Sequence, residues 1–204
     1  IEHSLYRQPS VPGASLLGNA LPSASSFDPS RNLNNQPWAL PVQMAGNTGT
    51  LRWKQDWGTN WQSVLTYGEQ HLRSDDRAAF PSGCSKDGLF GVYDRYCGDS
   101  TFDLYDYRSE GERRTTRALN AQLSGELSTG TIKHALRIGL LRSIHPTDLN
   151  TAAFTYAGEG NINGSYGAYP ATAKPDFANT DRHERSTELS ISDSITFSEQ
   201  WSAW

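Results

Sequence analysis

The sequence predicts an all-β chain folded as an antiparallel up-and-down meander, and three observations predict it. Apolar residues recur at every second position over several stretches, the period of a half-buried strand. The connections between those stretches alternate strictly between a few residues and several tens. Tryptophan or phenylalanine stands at the shoulders of the short connections. The 18 glycines and 10 prolines among 204 residues suit a chain rich in turns.

The first hairpin is predicted over about 42–72. Leu51, Trp53, Leu65 and Tyr67 share one face, and Arg52, Lys54, Asp56, Gln62 and Thr66 share the other. Its turn is Gly58-Thr59-Asn60, which sets Trp57 opposite Trp61. The second hairpin spans about 106–142. Leu119, Ala121, Leu123 and Leu127 line one face of its first arm, and Ile132, Leu136, Ile138 and Leu140 one face of its second. Taking Ser128–Thr131 as a four-residue turn pairs Leu127 with Ile132, Leu123 with Leu136 and Ala121 with Ile138. On the polar face Glu126 then meets Lys133 and Gln122 meets Arg137, so a one-residue slip is disfavoured. His134, set opposite Gly125, is out of place on the apolar side. The third hairpin, about 185–204, groups Leu189, Ile191, Ile195 and Phe197 and turns at Ser198–Gln200 before Trp201. Asp193 interrupts its apolar row.

Long connections are predicted over about 8–41, 73–102 and 144–181. In a meander, alternate connections lie at opposite ends of the sheet, so one end is trimmed and the other carries every long loop. Outer-membrane barrels have that asymmetry, with a girdle of aromatic residues at the interface, here Trp57, Trp61, Phe197 and Trp201. A soluble β-sandwich gives the same alternation within a hairpin but no reason for unequal ends. Mean hydropathy is −0.63, and no apolar run approaches the roughly 20 residues of a membrane helix, whereas a barrel strand needs only about ten. Net charge is −4 with no basic run, which argues against nucleic acid as a partner.

The two cysteines, Cys84 and Cys97, lie in the polar, glycine-rich connection GCSKDGLFGVYDRYCG, where a disulfide would close a loop in an oxidising compartment. Such a ring stabilises by about 3 kcal/mol in the loop-entropy picture. The chain opens on IEHSLYRQP, which reads as the end of a strand, and closes on QWSAW, which reads as a beginning.

Four stretches carry a family likeness: FDPSRNLNNQPWALP, WGTNWQSVLTYGEQHLRSDDRAAFPSGC, YDYRSEGERRTTRALNAQLSGEL and ELSISDSITFSEQW. In their order and spacing they resemble the barrel of TonB-dependent outer-membrane receptors, ferric-siderophore receptors in particular. The resemblance implies part of a transmembrane barrel of about 22 strands, whose lumen a separate N-terminal plug fills. At about ten residues per strand such a barrel needs some 220 residues before any loop. The chain is therefore expected to be a single partial barrel segment (1–204), without a plug. The implied function is uptake of ferric-siderophore chelates across the bacterial outer membrane. The implied partners are the chelate, outer-membrane lipid, and an inner-membrane TonB-type protein reached through a part that this sequence lacks. No cofactor is expected, because the iron arrives wrapped in its chelator.

On this reading no catalytic residue is expected. The histidines, His3, His71, His134, His145 and His183, form no zinc-binding spacing, and no nucleophile-elbow, P-loop or dinucleotide motif appears. Ligand contacts are expected from rings near the long-loop end: Trp38, Tyr93, Tyr96, Tyr105, Tyr107, Tyr156, Tyr166 and Tyr169. Stacked rings together with arginine suit an anionic or catecholate chelate. Packing of the loops, or a place in the upper aromatic girdle, is the plainer role for any one of these tyrosines. Two rival readings remain: a barrel hydrolase using Asp75-Asp76 and Asp181 with His183, and a secreted β-sandwich that binds or adheres.

Overall fold

A computed structural model describes residues 1–88 and 92–204. Ten strands follow in chain order: β1 (Glu2–Gln8), β2 (Leu16–Leu17), β3 (Leu40–Trp57), β4 (Trp61–Pro81), β5 (Arg95–Tyr96), β6 (Thr101–Thr129), β7 (Ile132–Asp148), β8 (Ala153–Asn161), β9 (Arg182–Thr196) and β10 (Ser202–Ala203). Among the described residues the only helical element is one 3-10 turn, Ala24–Ser26. The chain is all-β.

One antiparallel sheet runs β1-β3-β4-β6-β7-β9-β10, with β8 paired to β6. It is an open sheet. The predicted faces hold across β3 and β4, where Trp57 pairs with Trp61, Trp53 with Leu65 and Leu51 with Tyr67. The predicted register of the second hairpin does not hold. Thr129 pairs with Ile132, Leu123 with Ile138 and Ala121 with Leu140. Ser128 and Thr129 extend the ladder, and a two-residue turn with Gly130 at φ 65° closes it. The displacement is two residues, so every side chain keeps its face although each partner changes. Glu126 consequently meets Ala135 and Gln122 meets Gly139.

The strands outrun the predicted hairpins. The first extends over Leu40–Pro81 and the second over Thr101–Asp148, and the third runs from Arg182 to Ala203. The expected loop at 73–102 therefore begins as strand, and the expected loop at 144–181 contains β8. The upper part of β6 exchanges its neighbour: Arg113 and Arg114 pair with β7, whereas Thr101–Arg108 pair with β8.

A bulge divides the sheet into two regions. Ser74 pairs with Glu112 but Asp75 pairs with Glu110, which leaves Gly111 as an extra residue in β6. Gly111 has φ 73°, and a Cβ there would stand 2.6 Å from Asn150 Nδ2, so the position favours glycine twice over. Its N–H donates to Asp75 Oδ1 at 2.7 Å. The extra residue inverts the alternation of β6. Below it, odd-numbered Leu119 and Leu123 lie on the apolar face. Above it, odd-numbered Tyr105 and Tyr107 lie on the side that carries Asn120, Gln122 and Ser124 below.

Below the bulge the apolar face has no covering layer among the described residues. Leu51, Leu189 and Ile191 are 72%, 71% and 68% exposed, and Trp53, Leu123 and Ile138 are exposed as well. Buried packing is confined to the long-loop end, around Leu33, Ala79, Tyr96, Phe102, Leu104 and Ile162. There the 9–39 segment and the segment after β8 fold onto the sheet. Cys84 and Cys97 form the disulfide, with Cα atoms 5.0 Å apart and both residues fully buried. The two-residue parallel pair of β2 with β5 ties the first long connection to this ring.

Candidate functional site

The long-loop end holds polar anchors that position everything around them. Asp106 is fully buried. It accepts from Arg108 Nε at 3.0 Å and from the backbone N–H groups of Thr172 and Ala173, each at 2.9 Å. The last long connection is thus fixed to β6 by one carboxylate. Gln36 accepts from Tyr169 N–H at 2.8 Å and donates to Gly167 O at 3.2 Å, joining the first connection to the last. Asp103 accepts from Ser85 N–H and Oγ, at 2.8 and 2.9 Å, and holds the disulfide loop. None of these anchors has a signature in the sequence, since an isolated Asp or Gln carries no local pattern.

The eight predicted ring residues divide into two groups. Trp38, Tyr96, Tyr166 and Tyr169 belong to the packed side. Tyr96 is 2% exposed, packs against Phe27 and Phe102, and accepts from Ala14 N–H at 2.9 Å, so its ring is closed to any ligand. Tyr166 packs edge-on to Phe102 and donates to Leu33 O, and burial pushes its hydroxyl up to about 12. Tyr169 donates to Glu159 O at 2.8 Å, and its backbone O accepts from Trp38 Nε1 at 3.2 Å. These four clamp loops together.

Tyr93, Tyr105, Tyr107 and Tyr156 make a second group on the opposite face. Phe154, within the stretch expected as the loop 144–181, is its centre. Tyr105 stacks on Phe154 with centroids 4.3 Å apart, while Tyr93 meets Phe154 edge-on at 5.8 Å and Tyr156 meets Tyr105 edge-on at 5.9 Å. Phe80 packs between Tyr107 and Phe154. Tyr93 and Tyr156 remain more than half exposed. Burial raises the hydroxyl pKa of Tyr105, Tyr107 and Tyr156 above that of a free phenol. The signal in the sequence was the period-two pair Phe154/Tyr156, which matches Tyr105/Tyr107 across β6 and β8.

A cavity of 460 Å³ opens on this aromatic face, walled by Tyr93, Tyr107, Phe154 and Phe177 and edged by Glu112 and Asp176. Its size suits part of a small organic ligand. A trough of 510 Å³ lies at the far end, over the polar face near Asp56, Gln62, Glu126 and Arg137. That trough is the concavity of a polar sheet and has no cluster of rings, so the aromatic cavity is the better candidate.

The residues of the hydrolase alternative are not assembled. Asp75 points with Arg73 and the bulge, while Asp76 faces the other side of β4. Asp181 Oδ1 accepts from Leu149 N–H at 2.8 Å, and among the described residues no hydrogen bond joins it to His183. Cys84, Asp87 and Cys97 lie close enough together to hold a metal ion, but the disulfide occupies both sulfurs.

The predicted girdle residues gather at the short turns. Trp57 and Trp61 face each other, Trp57 Nε1 donates to Ser63 Oγ at 2.8 Å, and Phe197 N–H donates to Trp201 O at 3.0 Å. Trp61 lies flat over Gly125, where a Cβ would come within 2.2 Å of the indole. No known protein family, curated protein or solved structure matches the chain.

Proposed function

We propose that the chain is a segment of a bacterial outer-membrane receptor barrel that takes up ferric-siderophore chelates with energy from the inner membrane. One observation supports this most: a continuous apolar face that no other described residue covers, bounded at one end by tryptophans at tight turns and at the other by charge. From Leu119 to Leu127 the apolar row of β6 runs eight steps, about 26 Å at roughly 3.3 Å each, close to the apolar band of a tilted barrel strand. Above the row come Glu69 and Arg117, paired at 2.8 Å. The opposite face is polar and would line a watery lumen, and the aromatic cavity belongs to that side at the loop end, where a ligand from outside arrives. A disulfide in those loops fits an oxidising exterior.

In this reading the plug and the contact with the TonB-type protein come from parts outside the present residues. Trp57, Trp61, Phe197 and Trp201 would sit at the inner interface, and Tyr93, Tyr105, Tyr107 and Tyr156 near the bound chelate. The test is growth and transport under iron limitation. The protein is expected in the outer-membrane fraction, induced by iron starvation, with energy-dependent uptake of radiolabelled ferric chelate that is lost on gene deletion. Recovery as a soluble, detergent-independent protein would overturn the reading.

A further inference from the structure

The charge around the aromatic cavity indicates what it is built to hold. None of the described residues lining it is basic, and two, Glu112 and Asp176, are carboxylates. Three arginines of this end of the sheet are already committed: Arg108 to Asp106, Arg77 to Glu110 at 2.6 Å, and Arg114 to Glu112 Oε2 at 2.7 Å. Glu112 Oε1 accepts instead from the Ser109 hydroxyl at 2.5 Å, which leaves one arginine for two lining carboxylates. A third acid, Asp76, pairs with Ser109 across the sheet; burial raises its pKa, and its Oδ1 has no hydrogen-bond partner among the described residues.

Aromatic faces are electron-rich and attract cations, while carboxylates short of counter-charge attract them further. An anionic or catecholate ligand would meet the same surface unfavourably. An anionic chelate calls for arginine beside the rings, and Arg77, Arg108 and Arg114 each already have a carboxylate partner.

We propose that this cavity binds an organic ligand through a protonated amine or quaternary ammonium, set against Phe154, Tyr93 and Tyr107 with Glu112 and Asp176 as its counter-charges. Binding of a cation needs only the cavity. The corollary that the natural cargo is a chelate carrying a free ammonium arm rests on the uptake reading.

The experiment is calorimetric titration of the protein in detergent micelles with benzyltrimethylammonium chloride and, at matched ionic strength, sodium benzoate. Saturable binding of the cation is expected, with none of benzoate. The double substitution Glu112→Gln, Asp176→Asn should weaken the cation at least tenfold. Equal binding of benzoate, no binding of the cation, or an unchanged affinity in the double variant would overturn the proposal. The comparison of two ligands on the unaltered protein keeps the test sound if the variant folds poorly. A second titration uses a ferric trihydroxamate with a pendant ammonium and its N-acetylated, neutral form, and at least tenfold tighter binding of the charged form is expected. Equal binding of the two chelates sinks the ammonium-arm corollary and leaves the uptake reading standing. Binding of benzyltrimethylammonium but of neither chelate leaves the site standing and sinks the trihydroxamate corollary.

Discussion

His134 and Asp193 each interrupt an apolar row, and neither is accounted for by its own strand. On adjacent strands β7 and β9 they meet, His134 Nδ1 to Asp193 Oδ2 at 2.7 Å. A polar group surrounded by apolar side chains is tolerable when it has a partner and expensive when it does not. Replacing His134 alone by Leu should therefore destabilise by about 1–3 kcal/mol, and replacing Asp193 alone should do likewise. Replacing both should recover most of the loss. Denaturant unfolding of the four proteins in detergent checks the cycle, and additive losses would contradict it. Tyr166 offers a residue-scale test at high pH. Its neutral form is favoured by burial, so its contribution to stability is fully present below pH 10 and fades as pH rises from 10 towards 12. Ultraviolet titration should find a tyrosine ionising near pH 12 together with loss of loop structure, and Tyr166→Phe should remove that step.

Among the elements, hairpins were legible because their information is local. Alternation, a glycine and paired tryptophans at 57 and 61 define β3 and β4 without reference to the rest of the chain. Where the second hairpin turns was less legible, since Ser128, Thr129 and Thr131 are each acceptable in a strand or a turn. The β8 strand was hidden, because AFTYAGEGN is short and lies between asparagines and glycines that suggest a loop; it is fixed by its pairing with Thr101–Arg108 across the sheet. The bulge at Gly111 was also hidden, because the surrounding Glu110 and Glu112 show no face. Yet that single residue decides which side the tyrosines take. Gly111→Val should destabilise by about 1–2 kcal/mol through its left-handed backbone alone, more if Asn150 cannot move. Binding of the aromatic cavity's ligand should weaken with it, while the hairpin around Trp57 and Trp61 keeps its tryptophan fluorescence. Full retention of ligand binding would contradict the role given to the bulge.

At the scale of the whole molecule two regions follow different physics. The long-loop end is stabilised as a water-soluble protein is, by a small apolar cluster, buried carboxylates with partners, and a disulfide ring worth about 3 kcal/mol. The lower sheet has almost no buried side chains and leaves open edges at β1 and along most of β9. In water such a surface would aggregate or pair with other strands. In a bilayer, flanked by further strands as the proposed function has it, the same rows would gain the burial that the sheet lacks here. The most direct measurement places nitroxide labels in turn at Leu65, Leu123 and Ile138, and at Thr66, Gln122 and Arg137, in protein reconstituted into lipid vesicles. Accessibility to dissolved oxygen and to a water-soluble nickel chelate is then compared. The account predicts that the first three labels collide with oxygen and are shielded from nickel, and that the second three do the opposite. Equal access of the nickel chelate to both sets would contradict it.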